Sequence, residues 1–195
     1  MKTLLATAGA FALLTTSMTN AADTNPAADA ISPLLAPWVG PYGGVPPFDL
    51  AKVELFQPAL ETGMAQQLAE IDRIANDPAA PTFENTIAAM ERAGRTLDRV
   101  GTIYGVYSST LNDEAVQAVE REMAPKLAAF SDQITQNPQL FERIAKVYET
   151  RETSGLTPEQ QRLTWVHYTN FVRAGARLDA AGKQRTAEIN QELAR

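Results

Sequence analysis

The sequence of 195 residues contains no cysteine and a single histidine, His167. The absence of cysteine excludes disulfides and every metal site that is built on thiolates. A zinc site takes at least three ligands from Cys, His, Asp and Glu, and in practice two or more of them are His or Cys. The motif His-Glu-x-x-His is absent, and so is a glycine-rich phosphate-binding loop. We therefore predict no catalytic, cofactor-binding or metal-binding residue in this chain.

The rare side chains are interpreted as structural. His167 lies between Val166 and Tyr168 in an apolar stretch. We interpret it as a hydrogen-bonded structural histidine, and a role in binding or proton transfer is the alternative. The two tryptophans, Trp38 and Trp165, are interpreted as core residues rather than as platforms for a ligand.

Charge of one sign is not concentrated anywhere along the chain. There are 17 Lys and Arg against 23 Asp and Glu, which gives a formal net charge of −6. Because the basic residues are scattered among acidic ones, nucleic acid is not expected as a partner.

Residues 1–22 are typical of a secretory signal peptide. Lys2 follows the amino terminus, residues 4–14 are apolar and uncharged, and small residues close the segment at Ala21 and Ala22. The apolar run is too short to span a bilayer, which takes about 20 residues, and no cysteine is present to carry a lipid anchor. We predict an exported protein without a membrane anchor, located in the periplasm or, alternatively, secreted.

Residues 23–47 form a leader rich in proline and glycine, in which no regular element is expected. Its second part also carries apolar side chains, among them Trp38 and Tyr42. We expect residues 38–47 to lie extended against the helices.

Residues 82–111 have the pattern of one long amphipathic helix. The a and d positions of its heptads are apolar or small, and the apolar residues do not alternate with the period of two that a strand needs. These positions are Phe83, Ile87, Met90, Gly94, Leu97, Gly101, Tyr104, Ser108 and Leu111. Each glycine inside a helix costs about 1 kcal/mol relative to alanine. Two explanations remain open: a neighbouring helix packed closely along the line of small residues, or a kink near Gly101 and Gly105.

Similar patterns predict further helices on both sides of this one. A short helix over residues 52–56 precedes a second one that has Pro58 in its first turn and carries an apolar stripe from Leu60 to Ala75. The helices that follow begin at Asn112, with a kink caused by Pro125, at Asn137, and at Thr157 with a capping box, and the last carries Leu178, Ile189 and Leu193. The helix after Thr157 is apolar on several sides, so we expect it to be the most deeply buried. Short links favour an all-α, antiparallel multi-helix array.

Four sequence strings occur in a characteristic order. They are Trp-Val-Gly-Pro-Tyr-Gly-Gly-Val-Pro-Pro-Phe-Asp at 38–49, Ala-Ala-Pro-Thr-Phe-Glu-Asn-Thr-Ile at 79–87, Tyr-Thr-Asn-Phe-Val-Arg-Ala-Gly-Ala-Arg-Leu at 168–178, and Ala-Glu-Ile-Asn-Gln at 187–191. With them the chain resembles the N-terminal region of bacterial peptidyl-dipeptidases (dipeptidyl carboxypeptidases), which are zinc metallopeptidases of the thimet-oligopeptidase family.

The resemblance implies a mostly helical protein whose two halves flank a deep channel. Such enzymes remove C-terminal dipeptides from oligopeptides, and close relatives cut internally. They hold zinc through His-Glu-x-x-His and a downstream Glu, and the implied full-length protein is a monomer. None of these catalytic residues maps onto this sequence, so no cofactor is expected to be bound by this chain. Residues 48–195 would be an N-terminal helical domain, truncated because a periodic pattern is still running at Arg195.

Two hypotheses about function follow. In the first, the chain is the helical part of an exported zinc peptidyl-dipeptidase, forms a wall of the substrate channel, and leaves apolar surface uncovered on its last three helices. In the second, it is a self-standing exported helical module that binds peptides, or acts like a chaperone, without enzymatic activity.

Overall fold

The computed structural model describes residues 33–194. Across this range the chain is helical, and its β pairing is limited to one isolated antiparallel bridge between Val39 and Val45. The all-α prediction is confirmed. The predicted signal peptide over residues 1–22, and the leader up to residue 32, lie outside the described residues.

Seven α-helices have both of their ends among the described residues, and residues 33–35 are also helical. The seven are α1 (Val53–Ala75), α2 (Ala88–Arg92), α3 (Arg95–Thr110), α4 (Glu114–Thr135), α5 (Pro138–Thr150), α6 (Pro158–Arg173) and α7 (Ala180–Leu193). A π-helical turn, Phe83–Ile87, runs directly into α2, and a 3-10 turn, Pro41–Gly43, lies before α1.

Helix α1 is the element around which the others pack. Its first half contacts α3 and α4, and its second half contacts α5 and the π-helical turn. Two apolar clusters result, one at each end of α1. The first is built around Leu34, Phe56, Leu60, Val100, Ile103 and Met123. The second is built around Ile71, Ile87, Leu140, Ile144, Val147 and Phe171, where α6 packs on α5. Helix α7 lies against α4.

The prediction of one helix over residues 82–111 is wrong. The helix ends at Arg92, because Ala93 is extended (ψ 153°) and Gly94 has a left-handed backbone (φ 82°). The amide of Gly94 donates a hydrogen bond to Glu70 Oε2 at 2.7 Å. A Cβ on Gly94 would lie 2.4 Å from the side-chain amide carbon of Gln67. Gly94 thus separates two helices where the heptad pattern runs on without interruption.

The glycines of α3 do not lie against a closely packed neighbouring helix. Helix α3 is continuous through Gly101 and Gly105, and a Cβ at either position would meet nothing within 4 Å. The close approach of two helices occurs instead at Gly63 of α1, where a Cβ would lie 3.0 Å from the Leu97 Cα of α3.

Most predicted helix starts are confirmed. The side chain of Asn137 caps α5 with Pro138 in its first turn, and Thr157 forms a reciprocal capping box with Gln160 at the start of α6. Helix α4 begins one residue later than expected from Asn112, because Asp113 is its N-cap. It stays a single helix through Pro125, and α1 likewise continues through Pro58 instead of breaking into two helices.

Helix α6 is less buried than its composition indicates. Among its residues Thr164 and Phe171 are buried, whereas Trp165 is 36% exposed, so the interpretation of Trp165 as a core residue is wrong. The reason is that α5 and the π-helical turn cover one side of α6, and apolar side chains on its other sides remain uncovered. Trp38, by contrast, packs on the first apolar cluster as expected.

The segment before α1 folds back on itself. The amide of Val45 donates to the carbonyl of Val39 at 3.0 Å, and Tyr42 stands at the tip with a left-handed backbone (φ 60°) and a fully exposed side chain. We call residues 38–45 the hairpin. The expectation that residues 38–47 lie extended against the helices is wrong, because the turn at Pro41–Gly43 reverses the chain and only Trp38 of the hairpin packs on the first apolar cluster.

Candidate functional site

The residues that the structure describes contain no group of three or more His, Asp or Glu side chains that could hold a metal ion. The side chain of His167 is 18% exposed, and its Nε2 lies 2.8 Å from Glu91 Oε1. This contact joins α6 to α2. It gives His167 the hydrogen bond that we expected of a structural histidine, and no second imidazole exists to complete a metal site.

An aromatic stack with arginines at its ends lies beside His167. The rings of Tyr148 and Tyr168 are parallel, with centroids 3.9 Å apart. The guanidinium of Arg151 lies 4.0 Å from the centre of the Tyr148 ring, and Arg177 contacts the ring and the hydroxyl of Tyr168. The stacked rings join α5 to α6, whereas each cation–π contact stays within one helix and the residues that follow it. Sequence analysis missed this cluster, because its members come from separate helices and turns.

A cleft of about 380 Å³ separates the hairpin from α3. Trp38 and Gly43 line it on the side of the hairpin, and Arg95, Asp98 and Arg99 line it on the side of α3. Two of its side-chain nitrogens, Trp38 Nε1 and Arg99 Nε, are buried and have no hydrogen-bond partner. Most buried polar groups in proteins are hydrogen-bonded, so two exceptions in one cleft need an explanation.

A second cleft lies between α4 and α7. The carboxylate of Asp132 is buried there, and its Oδ1 accepts a hydrogen bond from Asn190 Nδ2 at 2.7 Å. Its Oδ2 and the Nε2 of Gln136, one helical turn further, have no partner. A carboxylate and an amide spaced by four residues can bond to each other after a small rotamer change, so this pair is compatible with a purely structural role.

Apolar side chains are exposed on and beside the last two helices. The exposed fractions are 36% for Trp165, 46% for Leu178, 39% for Ile189 and 81% for Leu193. The first hypothesis expects uncovered apolar surface on the last three helices, and apolar side chains of similar exposure also occur elsewhere, among them Phe48, Leu50 and Leu111. No helix within residues 33–194 has the length and apolarity needed to cross a membrane.

No model of a known protein family matches the chain. The chain is 36% identical over 163 residues to a dipeptidyl carboxypeptidase of Salmonella typhimurium (strain LT2). It is 35% identical over 164 residues to a dipeptidyl carboxypeptidase of Escherichia coli (strain K12). Each match covers 84% of this chain and 24% of the relative, so the chain spans about a quarter of these relatives' length. The predicted resemblance is thereby confirmed: over most of its length the chain is similar to a segment of the dipeptidyl carboxypeptidases.

Proposed function

We propose that this chain is the helical, non-catalytic portion of a peptidase that releases C-terminal dipeptides from oligopeptides. In this role its helices form a wall beside the substrate channel, and the catalytic groups belong to residues outside this chain. The observation that carries the proposal is the 36% identity to a dipeptidyl carboxypeptidase over 84% of the chain.

The side chains of the chain support a structural rather than a chemical contribution. One imidazole without thiols does not fit a zinc site, so no catalytic step is assigned to the described residues. If zinc acts in the complete enzyme, other residues hold it. The exposed side chains of Trp165, Leu178 and Ile189 supply the apolar surface on which the remaining part of such an enzyme would pack.

The proposal extends to the location of the protein. Residues 1–22 have the charge and apolar pattern of a secretory signal peptide, so we propose export to the periplasm. The substrate class would be oligopeptides outside the cytoplasm, and the complete enzyme would act as a monomer.

A segment exchange in the Salmonella relative tests the proposal. The matched 24% of that protein is replaced by residues of this chain, and the release of C-terminal dipeptides from an oligopeptide is measured by mass spectrometry. We expect the chimera to release dipeptides, whereas a control that lacks the segment is expected to be inactive because the wall and its packing surface are missing.

A chimera that unfolds cooperatively but releases no dipeptide would contradict the proposal. If, in addition, this chain alone bound oligopeptides without cleaving them, the result would favour the self-standing binding module instead.

A further inference from the structure

The cleft between the hairpin and α3 contains two hydrogen-bond donors that the protein leaves unused. Trp38 Nε1 is a donor only, and Arg99 Nε carries one N–H of a guanidinium. Each nitrogen is shielded from solvent and has no acceptor among the described residues. Two donors cannot satisfy each other. An acceptor for either nitrogen would therefore have to come from outside the protein.

Both donors are held in place by contacts on their other sides. Arg99 Nη2 donates to the carbonyl of Leu35 at 2.8 Å and to Thr96 Oγ1 at 3.2 Å, which fixes the guanidinium. Behind Trp38, the backbone of Gly44 is so close that a Cβ there would lie 2.7 Å from Trp38 Cβ. Gly44 also has a φ of 124°, which disfavours any other residue. The guanidinium of Arg99 is therefore held by its other nitrogen, and the backbone of Trp38 is held by its close contact with Gly44.

The charge of the cleft favours an anion. Its lining includes the guanidinium groups of Arg95 and Arg99 and the carboxylate of Asp98, which together leave a formal charge of +1. Each of the two N–H groups can donate to a carboxylate oxygen, and hydrogen bonds to a charged acceptor are the stronger kind.

We propose that this cleft binds a carboxylate of an oligopeptide, with Trp38 Nε1 and Arg99 Nε as donors and Arg95 as a charge partner at the mouth. The assignment to a peptide, rather than to another anion, rests on the proposed function. Since neither nitrogen is open to solvent, binding requires the hairpin to shift, and the backbone freedom of Gly40 and Gly43 allows such a shift.

The two tryptophans of the chain make a direct test possible. In a ¹H–¹⁵N correlation spectrum each indole N–H gives one signal, and the N–H of Trp38 is the proposed donor. Trp165 lies on α6, with Arg162 4.1 Å from the centre of its ring, and serves as an internal reference. The folded chain is titrated with N-acetyl-Ala-Ala, which has a free carboxylate, and with N-acetyl-Ala-Ala-amide, which has none.

We expect the Trp38 signal to shift and to saturate at millimolar N-acetyl-Ala-Ala, because only a few groups make contact, while Trp165 stays unchanged. The amide should bind at least about tenfold more weakly. A Trp38 signal that does not move, or that responds equally to both compounds, overturns the proposal.

Sodium phosphate distinguishes a peptide carboxylate from a free oxyanion. If phosphate saturates the Trp38 shift at concentrations about tenfold below those of N-acetyl-Ala-Ala, the assignment to a peptide is wrong. Weaker binding of phosphate than of the acetylated dipeptide supports the assignment.

A matched pair of variants tests the charge. Arg95→Gln removes a positive charge at the mouth of the cleft. Within the described residues Arg95 donates no hydrogen bond that the substitution would remove. It should weaken N-acetyl-Ala-Ala about three- to tenfold, whereas Arg162→Gln, outside the cleft, should leave the affinity unchanged. Equal affinities of the two variants overturn the role of the cleft. The titration needs neither zinc nor turnover, so its failure is separate from an inactive chimera.

Discussion

At Gly63 helices α1 and α3 lie so close that a Cβ would make an unusually tight contact. A Cβ at this position would lie 3.0 Å from Leu97 Cα and 3.2 Å from Leu97 Cβ. The neighbour on one side is backbone, which cannot rotate away. The packing of the first apolar cluster therefore depends on a residue without a side chain at one point of α1.

We predict that Gly63→Ala destabilises the chain by about 1–2 kcal/mol, because overpacking between the helices outweighs the gain in helix propensity. Gly101→Ala is the control, since a Cβ there meets nothing within 4 Å. It should be neutral or stabilising by up to about 1 kcal/mol. Urea unfolding of both variants measures the difference, and a Gly63→Ala variant as stable as Gly101→Ala would contradict this account of the contact.

The contrast between Gly63, Gly94 and Gly101 shows what a sequence reveals about single residues. All three stand in periodic apolar stretches, and their local patterns do not tell them apart. Their roles differ because Gly63 faces a second helix, Gly94 faces Gln67, and Gly101 faces open space. These neighbours are distant in sequence, so the explanation based on a line of small residues in 82–111 was wrong.

The N-terminal starts of the helices are the features that the local sequence predicted best. Thr157 accepts a hydrogen bond from the Gln160 amide, and the Gln160 side chain accepts one from the Thr157 amide at 3.0 Å. Both bonds join residues only three apart, so they depend on no tertiary partner. The same holds for Asn137 at the start of α5. The burial of α6 depends instead on which helices cover it, and its prediction was wrong.

We predict that Thr157→Ala lowers the free energy of unfolding by about 1 kcal/mol, because an N-cap of α6 is lost. The matched control is Thr110→Ala. Its exposed hydroxyl donates to the carbonyl of Val106 within α3, so the change should stay within about 0.5 kcal/mol. Thermal or urea unfolding is the measurement, and equal losses for both variants would argue against the capping box as a stabilising element.

A charged contact ties α4 to α1. Lys126 Nζ lies 2.6 Å from Glu61 Oε1 and 2.7 Å from Glu122 Oε1. The hydrogen bond from Lys126, followed by that from Gln57, holds the pKa of Glu61 below its ordinary value. The hydrogen bonds to Glu122 and then Glu61 raise the pKa of Lys126. These side chains are partly exposed, so solvent screens the contact.

The sign of the pH dependence follows from these directions. The stabilisation from Glu61 is present above the ordinary glutamate pKa of about 4.3 and is lost as the pH falls through the lower folded value. We predict that Lys126→Met destabilises the chain at pH 7, and that its deficit relative to wild type shrinks as the pH falls from about 5 to about 3. Lys52→Met serves as control. Urea unfolding across this range checks the prediction, and a deficit that is constant with pH would contradict it.

For the whole molecule, the periodic pattern of apolar residues was enough to predict an all-α array, because each helix needs one apolar side to pack. The pattern did not reveal that α1 runs unbroken through both apolar clusters, whereas residues 82–111 reach them as separate elements, with Ile87 in the second cluster and Val100 and Ile103 in the first, since that depends on the arrangement in space. Nor could it show that Trp38 and Arg99 meet in one cleft. The functional proposal rests on the four strings and on the 36% identity to a dipeptidyl carboxypeptidase, not on the chemistry of a site.

The proposed packing surface on α7 is tested with a pair of substitutions of similar exposure. Ile189 on α7 is 39% exposed and Val106 on α3 is 38% exposed. In the Salmonella chimera, Ile189→Asp should lower dipeptide release at least about tenfold, because a charge would be buried where the rest of the enzyme packs. Val106→Asp should leave it nearly unchanged. The assay measures the dipeptide released per folded chimera. Equal losses for both variants would contradict a packing surface on α7.

The central claim is that these residues form scaffold and leave the chemistry to groups outside the chain. The most direct measurement incubates the purified chain with an oligopeptide that has a free carboxyl end, with added zinc and, in parallel, with a chelator. Dipeptide release is followed by mass spectrometry. We predict no release above the blank in either condition. Release that grows with the concentration of the chain and stops on chelation would contradict the claim.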